Sequence, residues 1–481
     1  METFLGKRDG LKLQILRYID YKNEQIFLLK QVSSDLQLSE SLLRTLLEEL
    51  FQEFSEEKMI ELKIWQNQFS FRKDRKYHTS YFFSLFLRRS IYYRFLVDIY
   101  FEKYISIEKY AQQLYLSPAT LSRRWKEFKD HLGQLSIQVK KRNNLFYLAG
   151  EEEVIRYVYF KLFFVAQDYP IDSELELLLN QGKLKQTNLK MTQLALENLR
   201  LMVTIALHRV GKKNLIQKEV SYFSIPRKIY HEENMDQLLQ QIFANYNIHL
   251  AEQEIKKEVA FLYFFLTTSI VMPSEVIQQT STVLSPTLFG EQTFILANHL
   301  VYQIVEEMQL TISPEEYFYL LANFYLAIRK KAVFKTIVGL HSFTDLKKMN
   351  QLIQEYPILS ESSLNEALDV KDIFLIVYPF LASKEQPLKI LVTSELGGNH
   401  QQFLQNKVRF RVNYPIEFVD SKAEQPQLLI ADYFMRETKI PCLYISSFPS
   451  EHDYQLLKQA IIQMIQKLNL KQIKSEPFID H

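Results

Sequence analysis

The stretch that decides the fold is ISIEKYAQQLYLSPATLSRRWKEFKDHLGQLSIQVKKRNNLFYLAG, residues 105–150. Its first part predicts a short helix over residues 107–116, in which the small side chain of Ala111 faces inward. A small residue is needed there because two helices of a helix-turn-helix cross closely. Ser117 and Pro118 then supply an N-cap and a proline at the first helical position, which predict the start of a second helix.

The second helix is amphipathic, and we predict that it ends at Gly133. Large apolar residues recur at helical spacing along one side, namely Leu121, Trp125, Phe128 and Leu132. The opposite side carries small residues and cations, which allow a helix to enter a major groove and to meet phosphates and guanine edges. From this helix we predict DNA contacts by Ser117, Thr120, Ser122, Arg123, Lys126 and Lys129.

Two strand-like segments follow, separated by a tip that contains Asn143 and Asn144. A pair of asparagines favours a tight hairpin turn. From the hairpin we predict contacts to the DNA backbone by Lys140, Lys141 and Arg142. Residues 105–149 hold eight Lys or Arg against three Asp or Glu. Together these features predict a winged helix-turn-helix that binds DNA. The alternative is an amphipathic helix beside a surface hairpin in a larger helical domain.

Residues 1–76 predict an earlier copy of the same module. The segment 36–43 aligns with 114–121 at a constant offset, and a second possible wing follows it. The charge differs, because residues 39–57 contain Arg44 and six glutamates. Such a surface is poor for phosphate. We therefore expect this module to bind DNA more weakly or to pack against the second one, with Arg44 as its candidate DNA contact.

The whole chain has 481 residues and a formal net charge of only +2, so its basic surface is local. A local basic surface suits a regulator that touches DNA with one part. The single cysteine, Cys442, excludes a disulfide within the chain and a cysteine-based metal site. The start of the chain lacks the apolar core of a signal peptide, and charges interrupt its apolar stretches. We expect a cytoplasmic protein with no membrane contact.

Motifs of nucleotide-binding, zinc-protease and serine-hydrolase sites do not occur in the sequence. We therefore expect neither an enzyme nor a cofactor or metal. The pattern predicts a mainly α, multidomain chain. Its predicted domains are a first winged helix-turn-helix (1–76), a helical connector with the second one (77–150), two helical domains (151–285 and 286–387) and a C-terminal α/β domain (388–481). Ligands often bind at the carboxyl edge of such a parallel sheet, here near residues 394–400, but ELGGNH is too loose for a phosphate loop.

This order of parts resembles the Mga-type virulence regulators of Gram-positive bacteria. The resemblance is most specific at LSPATLSRRWKEF, ALHRV and LLANFYLAIRKK. It implies a sequence-specific, DNA-binding transcription regulator of virulence or carbohydrate-linked genes. It also implies that the two helical domains are PTS regulation domains (PRDs), whose histidines the sugar phosphotransferase system (PTS) can phosphorylate. The C-terminal domain would be EIIB-like and would take part in forming a homodimer.

The resemblance makes His208, in ALHRV, the first candidate phosphate acceptor, and His299 a second one. Asn323 stands where ordinary PTS regulation domains have histidine. The EIIB-like domain lacks the cysteine that follows the first strand of an active EIIB, and Ser394 is found there. The implied partners are double-stranded promoter DNA, a second copy of the chain and a PTS phosphocarrier protein. The alternative function is a helical scaffold or adaptor whose winged helices bind protein instead of DNA.

Overall fold

The structure is a computed structural model that divides into two compact units, Met1–Val377 and Tyr378–His481. It describes residues 1–22, 26–56, 58–74, 76–103, 106–168, 193–223, 232–246, 248–268, 291–308, 310, 312–334, 368, 372–373, 375–377, 380, 387–411, 416–433, 440–461 and 464. The described residues are mainly helical, with three small sheets. The predicted boundary between the two helical domains, near residue 285, lies outside them.

The first module contains three helices and a three-stranded antiparallel sheet. After a single 3-10 turn at Glu2–Phe4, its helices are α1 (Lys7–Lys22), α2 (Leu29–Leu36) and α3 (Glu40–Phe54). Its antiparallel sheet has the order β1-β3-β2, with β1 at Ile26–Leu28, β2 at Ile60–Ile64 and β3 at Gln68–Lys73. The repeat extends to the cap, because Ser39 accepts a hydrogen bond from the Leu42 amide, 3.2 Å away. The strand β1 is not foreseen from the sequence.

Two short helices, α4 (Thr79–Arg89) and α5 (Ile91–Tyr100), connect the modules. Ser90 separates them and caps α5 by accepting from the Tyr92 amide. The aromatic side chains Phe82, Phe86, Phe95 and Tyr100 are buried. The aromatic side chains of the connector are therefore part of the core.

The second module follows with α6 (Ile107–Gln113), α7 (Pro118–Gln134), β4 (Gln138–Arg142) and β5 (Leu145–Ala149). Ser117 accepts a hydrogen bond from the Thr120 amide at 3.1 Å, so the predicted N-cap is present. The helix α7 runs one residue beyond the predicted end at Gly133, and the left-handed residue that follows it is Ser136, with φ of 59°. Helix, turn, helix and hairpin thus occur in the predicted order.

The remainder of the first unit is helical in the part that the structure describes. The helices are α8 (Glu152–Ala166), α9 (Gln193–Gly211), α10 (Glu232–Asn245), α11 (Glu252–Thr268), α12 (Gln292–Glu307) and α13 (Pro314–Phe334). The helix α13 packs against both α8 and α11. Phe334 of α13 stacks on Tyr157 of α8, with 4.1 Å between ring centroids. Helices from both predicted helical domains therefore share a core.

The second unit contains a four-stranded parallel sheet of order β7-β6-β8-β9. Its strands are β6 (Leu388–Thr393), β7 (Ile416–Val419), β8 (Leu428–Ala431) and β9 (Cys442–Tyr444), and α14 (Gly398–Arg411) follows β6. The strand β8 is buried at every position, which is typical of a strand covered on both faces. A C-terminal parallel sheet is therefore present, and its first strand begins at Leu388.

No helix in the described ranges is both long and apolar enough to cross a lipid bilayer.

Candidate nucleic-acid interface

Aromatic side chains of α5 and of the hairpin pack against the buried face of α7. Trp125 meets Phe95 of α5 edge to face, with ring centroids 4.7 Å apart, and lies 4.9 Å from Phe146 of the hairpin. Phe128 is fully buried and also contacts Phe95. Ala111 of α6 is buried at the helix crossing, as predicted. Aromatic pairs of this kind fix orientation as well as adding buried area. The connector and the wing therefore set the position of α7.

The opposite face of α7 is open to solvent. The side chains of Ser122, Arg123, Lys126 and Lys129 are all exposed, as the helical period predicts. Arg124 is only half-buried and faces Tyr92 of α5, whose pKa burial raises. The exposed set is therefore the part of α7 that can reach a DNA groove without moving the core.

Ser117 and Thr120 lie at the start of α7 and bond to each other. Their hydroxyl oxygens are 2.9 Å apart, and the Thr120 amide donates to the Ser117 hydroxyl. Thr120 is partly buried, whereas Ser117 is exposed. The Ser117 hydroxyl thus caps α7, and the Thr120 hydroxyl bonds to this cap. The DNA contacts predicted for them remain predictions.

The hairpin separates the three cations that the sequence groups together. Asn143 and Asn144 have φ values of 49° and 62°, and a two-residue loop with both φ values positive is the type I′ turn that asparagine favours. Register pairs Lys140 with Tyr147, and Lys141 with Phe146 on the opposite face of the ribbon. The Lys141 ammonium lies 5.6 Å from the centroid of the Phe146 ring. All three cations, including Arg142, are exposed.

The charges of the first module are largely occupied within the chain. Arg44 donates to the backbone carbonyls of Trp65 and Gln66, at 3.3 and 2.9 Å, in the turn between β2 and β3. Its guanidinium therefore holds the wing of its own module. The DNA contact predicted for Arg44 remains a prediction.

The glutamates of α3 bind neighbouring helices. The Lys12 ammonium of α1 lies 3.0 Å from Glu49 and 2.5 Å from Glu53, and Arg89 of α4 lies 3.0 Å from Glu53. Arg8 also pairs with Glu49 and holds the pKa of that carboxyl below its usual value. The acidic side of α3 is thus partly a packing surface. These partners are 36 to 41 residues apart, so no local pattern identifies them.

His208 lies at the junction between α9 and the connector. Its Nε2 atom is 2.8 Å from the backbone carbonyl oxygen of Tyr100, and the two rings stack with centroids 4.1 Å apart. A carbonyl can only accept, so Nε2 carries a proton, and Nδ1 holds the lone pair of the neutral ring. Burial lowers the pKa of His208, and the nearby Lys212 and Arg209 lower it further.

The other regulatory residues have different surroundings. His299 is exposed on α12. Asn323 is buried in α13 and donates from Nδ2 to the Tyr319 carbonyl, 3.1 Å away in the preceding turn. Arg209, in the last turn of α9, is buried and paired with Glu152 at 2.6 Å.

The second unit brings three polar side chains together at the carboxyl edge of its sheet. Ser394 donates to Asp432 at 2.8 Å, and the His400 Nδ1 atom is 2.7 Å from the Ser394 oxygen. The Leu396 amide also donates to Ser394, and the Glu395 amide donates to Asp432 at 3.0 Å. Although burial opposes it, these donors lower the pKa of Asp432. These hydrogen bonds join the loop after β6 to Asp432, the residue that follows β8. The sequence places the loop 394–400, and with it Ser394 and His400, at this edge, whereas Asp432 is not predicted from it.

Comparison with known proteins identifies the DNA-binding part of the chain. A family model described as the Mga helix-turn-helix domain matches residues 75–163, which span the connector, the second winged module and most of α8. The chain is also similar to the anthrax toxin expression trans-acting positive regulator of Bacillus anthracis. The two are 22% identical over 479 residues, which cover 93% of this chain and 97% of the relative. The resemblance to Mga-type regulators inferred from the motifs is confirmed, and these matches support DNA-binding transcription regulation.

Proposed function

We propose that the chain binds double-stranded promoter DNA by placing α7 in the major groove, with the β4–β5 hairpin on the adjacent backbone. The observation that carries this proposal is the exposure of Ser122, Arg123, Lys126 and Lys129 on α7, whereas Trp125 is buried. Arginine and lysine read guanine edges and phosphates from such a helix. The wing cations Lys140 and Arg142 then act on the backbone without reading sequence.

The test replaces Arg123 and Lys126 together with alanine. Each lost base contact weakens binding by roughly 1–3 kcal/mol. A duplex selected by the parent chain from a random library serves as the probe, and a circular-dichroism melt checks the fold. Lys256→Ala, an exposed change on α11, is the matched control and leaves binding unchanged. If the double variant binds the duplex as tightly as the parent chain, α7 is not the recognition helix. If the chain is instead a helical adaptor that binds only protein, its binding to the duplex will not weaken steeply as the salt concentration rises.

The genes under control are proposed from the comparison. The relative's name describes positive regulation of anthrax toxin expression. We assign this chain to the control of virulence or carbohydrate-linked genes on that basis. A strain that lacks the chain should change transcript levels at the promoters that the selected duplex matches. Unchanged transcripts at every such promoter would contradict the assignment.

We further propose that residues 151–285 and 286–387 are PTS-regulation-like domains and that His208 accepts a phosphoryl group. The neutral ring with its proton on Nε2 supports this, because its lone pair on Nδ1 is the nucleophile. The phosphoryl group would pass from a PTS phosphocarrier protein to that nitrogen. A phosphate there brings about two negative charges close to Arg209 and Lys212.

Incubation with the general PTS proteins and labelled phosphoenolpyruvate tests this acceptor. The parent and a His299→Ala variant should be labelled, whereas His208→Ala should not. Retained label on His208→Ala that disappears in His299→Ala would assign the acceptor to His299 instead. Absence of label on all three would contradict phosphorylation of the chain by this route.

The C-terminal unit is proposed to be EIIB-like and to pair two copies of the chain. Its parallel sheet with a helix after the first strand supports the fold. Leu396, Phe403 and Phe448 are 55%, 37% and 74% exposed, and the two phenylalanine rings lie 6.2 Å apart. Such an apolar surface suits an interface. Deleting residues 388–481, or changing Phe448 to Ser, should lower the dimer fraction in sedimentation. A fully dimeric truncated chain would place the interface in the helical unit.

A further inference from the structure

The turn between α6 and α7 contains an unusual tyrosine. Tyr115 has a φ of 53° and a side chain that is 97% exposed. It is the most exposed large apolar or aromatic side chain of the residues that the structure describes. The left-handed region is adopted readily by glycine and to a lesser extent by asparagine, whereas a bulky side chain there is disfavoured.

The backbone explains why a left-handed residue is needed at this position. The Tyr115 amide donates to the Gln112 carbonyl at 3.2 Å, and the Leu116 amide donates to the Ala111 carbonyl at 2.9 Å. These two bonds end α6 and turn the chain toward α7, and glycine is the residue best suited to such a helix end. The fold therefore requires the conformation but gains no burial from the phenol.

The first module supplies an internal comparison. Gln37 occupies the equivalent position, also with a φ of 53°, and the Leu38 amide donates to the Ser33 carbonyl at 2.9 Å. The same turn is thus formed with a different side chain in the module whose helix is acidic. Of these two positions, the tyrosine is found in the module whose exposed helix face is basic. We therefore connect the phenol with the ligand that this basic face binds.

The location of Tyr115 favours one partner. It precedes the α7 N-cap Ser117 by two residues, next to the end of α7 from which base contacts begin in a helix-turn-helix. The exposed residues near it in the sequence, Gln112, Gln113 and Pro118, are uncharged and do not repel an anion. A phenol can donate to a phosphate oxygen, and tyrosine is among the residues that contact the DNA backbone in this way.

We propose that the Tyr115 hydroxyl donates a hydrogen bond to a backbone phosphate at the edge of the groove that α7 enters, and so positions α7 on the duplex. The inference rests on the proposal that α7 is the recognition helix. The contact is neutral on the protein side and displaces no counterion of its own. Its loss therefore lowers affinity at every salt concentration without changing the slope of log affinity against log salt.

The test compares Tyr115→Phe and Tyr115→Gly with Gln37→Gly in the full-length chain, on the duplex selected from the random library. Tyr115→Phe should bind roughly ten-fold more weakly with an unchanged salt slope, since a hydrogen bond to a charged group is lost. Tyr115→Gly should lose as much affinity while its Tm rises, because glycine relieves the backbone strain. Gln37→Gly should also raise Tm and should leave DNA affinity unchanged.

Parent-like affinity of Tyr115→Phe overturns the proposal and would make the exposed phenol available to a protein partner instead. A lower Tm for Tyr115→Gly also overturns it, because the phenol would then stabilise the fold. The double change at Arg123 and Lys126 tests separately the proposal that α7 is the recognition helix. If that variant loses binding while Tyr115→Phe keeps it, only the phosphate contact is wrong. If that variant binds as the parent does, the assignment of α7 itself fails.

Discussion

The His208 ring donates from Nε2 to the backbone carbonyl of Tyr100, 2.8 Å away, and stacks on the Tyr100 ring. Tyr100 is the last residue of α5, and Phe95 in the same helix meets Trp125 of α7. One ten-residue helix therefore contacts both the proposed phosphate acceptor and the anchor of the proposed recognition helix. If His208 is the phosphate acceptor, as proposed, the added charge would act on the end of the helix that supports α7.

The His208 contact predicts a pH dependence of stability. Burial lowers the pKa of His208 in the folded chain, so below the unfolded value the unfolded state binds more protons. The stabilisation is thus present at neutral pH and is lost as the pH falls below about 6.5. His208→Gln keeps a side-chain donor for the Tyr100 carbonyl but does not titrate. Urea unfolding at pH 7.5 and 5.5 should show a smaller decline for this variant. If the free energy of unfolding falls equally in both proteins, His208 is not the cause of the pH dependence.

The cations of the β4–β5 hairpin should have two different roles. Lys140 and Arg142 lie on the face that carries Tyr147, and losing one phosphate contact reduces the salt slope of DNA binding by about 0.9. Lys140→Ala and Arg142→Ala should each show that reduction, with little effect on Tm. Lys141→Ala should instead lower Tm slightly through its contact with Phe146. Fluorescence anisotropy over a salt series provides the measurement. Equal slopes for Lys140→Ala, Arg142→Ala and the parent would place the hairpin away from the backbone.

The features of α7 and its hairpin could be predicted because each signal is local. An N-cap serine, apolar residues at helical spacing and an asparagine pair lie within a few residues of the structure they specify, and Ser117, Trp125 and Asn143 all behave accordingly. Their geometry depends on short-range backbone preferences, which a sequence displays directly.

What could not be predicted depends on long-range partners. The strand β1 has three residues, too few for a visible alternation, and it forms only because β3 offers an edge. Arg8 and Glu49 are 41 residues apart, and Ser394 and Asp432 are 38 apart. Periodicity assigns such side chains to a face but does not show which distant charge meets them. The roles of Asp432 and of the α3 glutamates therefore become visible only in the fold.

The loop cluster of the C-terminal unit predicts an acid-sensitive contact. Hydrogen bonds from the Glu395 amide and the Ser394 hydroxyl lower the pKa of Asp432. A depressed carboxyl pKa stabilises the fold above the unfolded value of about 3.9, and that stabilisation is lost as the pH falls through the folded value. Asp432→Asn should therefore cost about 1–3 kcal/mol near neutral pH and progressively less in acid. The exposed Asp420→Asn change is the matched control. If Asp432→Asn lowers the free energy of unfolding by the same amount at every pH, the charge of the Asp432 carboxylate does not stabilise the fold.

The last prediction concerns a buried charge network in the helical region. Arg156 of α8 is fully buried and donates from Nη2 to Glu258 of α11 at 3.0 Å and from Nε to Glu152 at 2.9 Å. Arg209 of α9 binds the same Glu152, so the network joins three helices. Arg156→Met leaves two carboxylates poorly compensated in the core, and such a loss costs about 3–5 kcal/mol.

Urea unfolding of the full-length chain should show this loss for Arg156→Met. Arg156→Lys should recover only part of it, because a single ammonium cannot reproduce the guanidinium fork that reaches both glutamates. Lys256→Met, which removes an exposed pair with Glu252 one helical turn away on α11, should cost about 0.5 kcal/mol or less. Adding Glu258→Leu to Arg156→Met should restore stability, since the stranded charge is then removed along with its partner. If Arg156→Met unfolds at the same urea concentration as Lys256→Met, the network does not hold α8, α9 and α11 together. The coupling of His208 to α5 would then depend on its own hydrogen bond and ring contact with Tyr100.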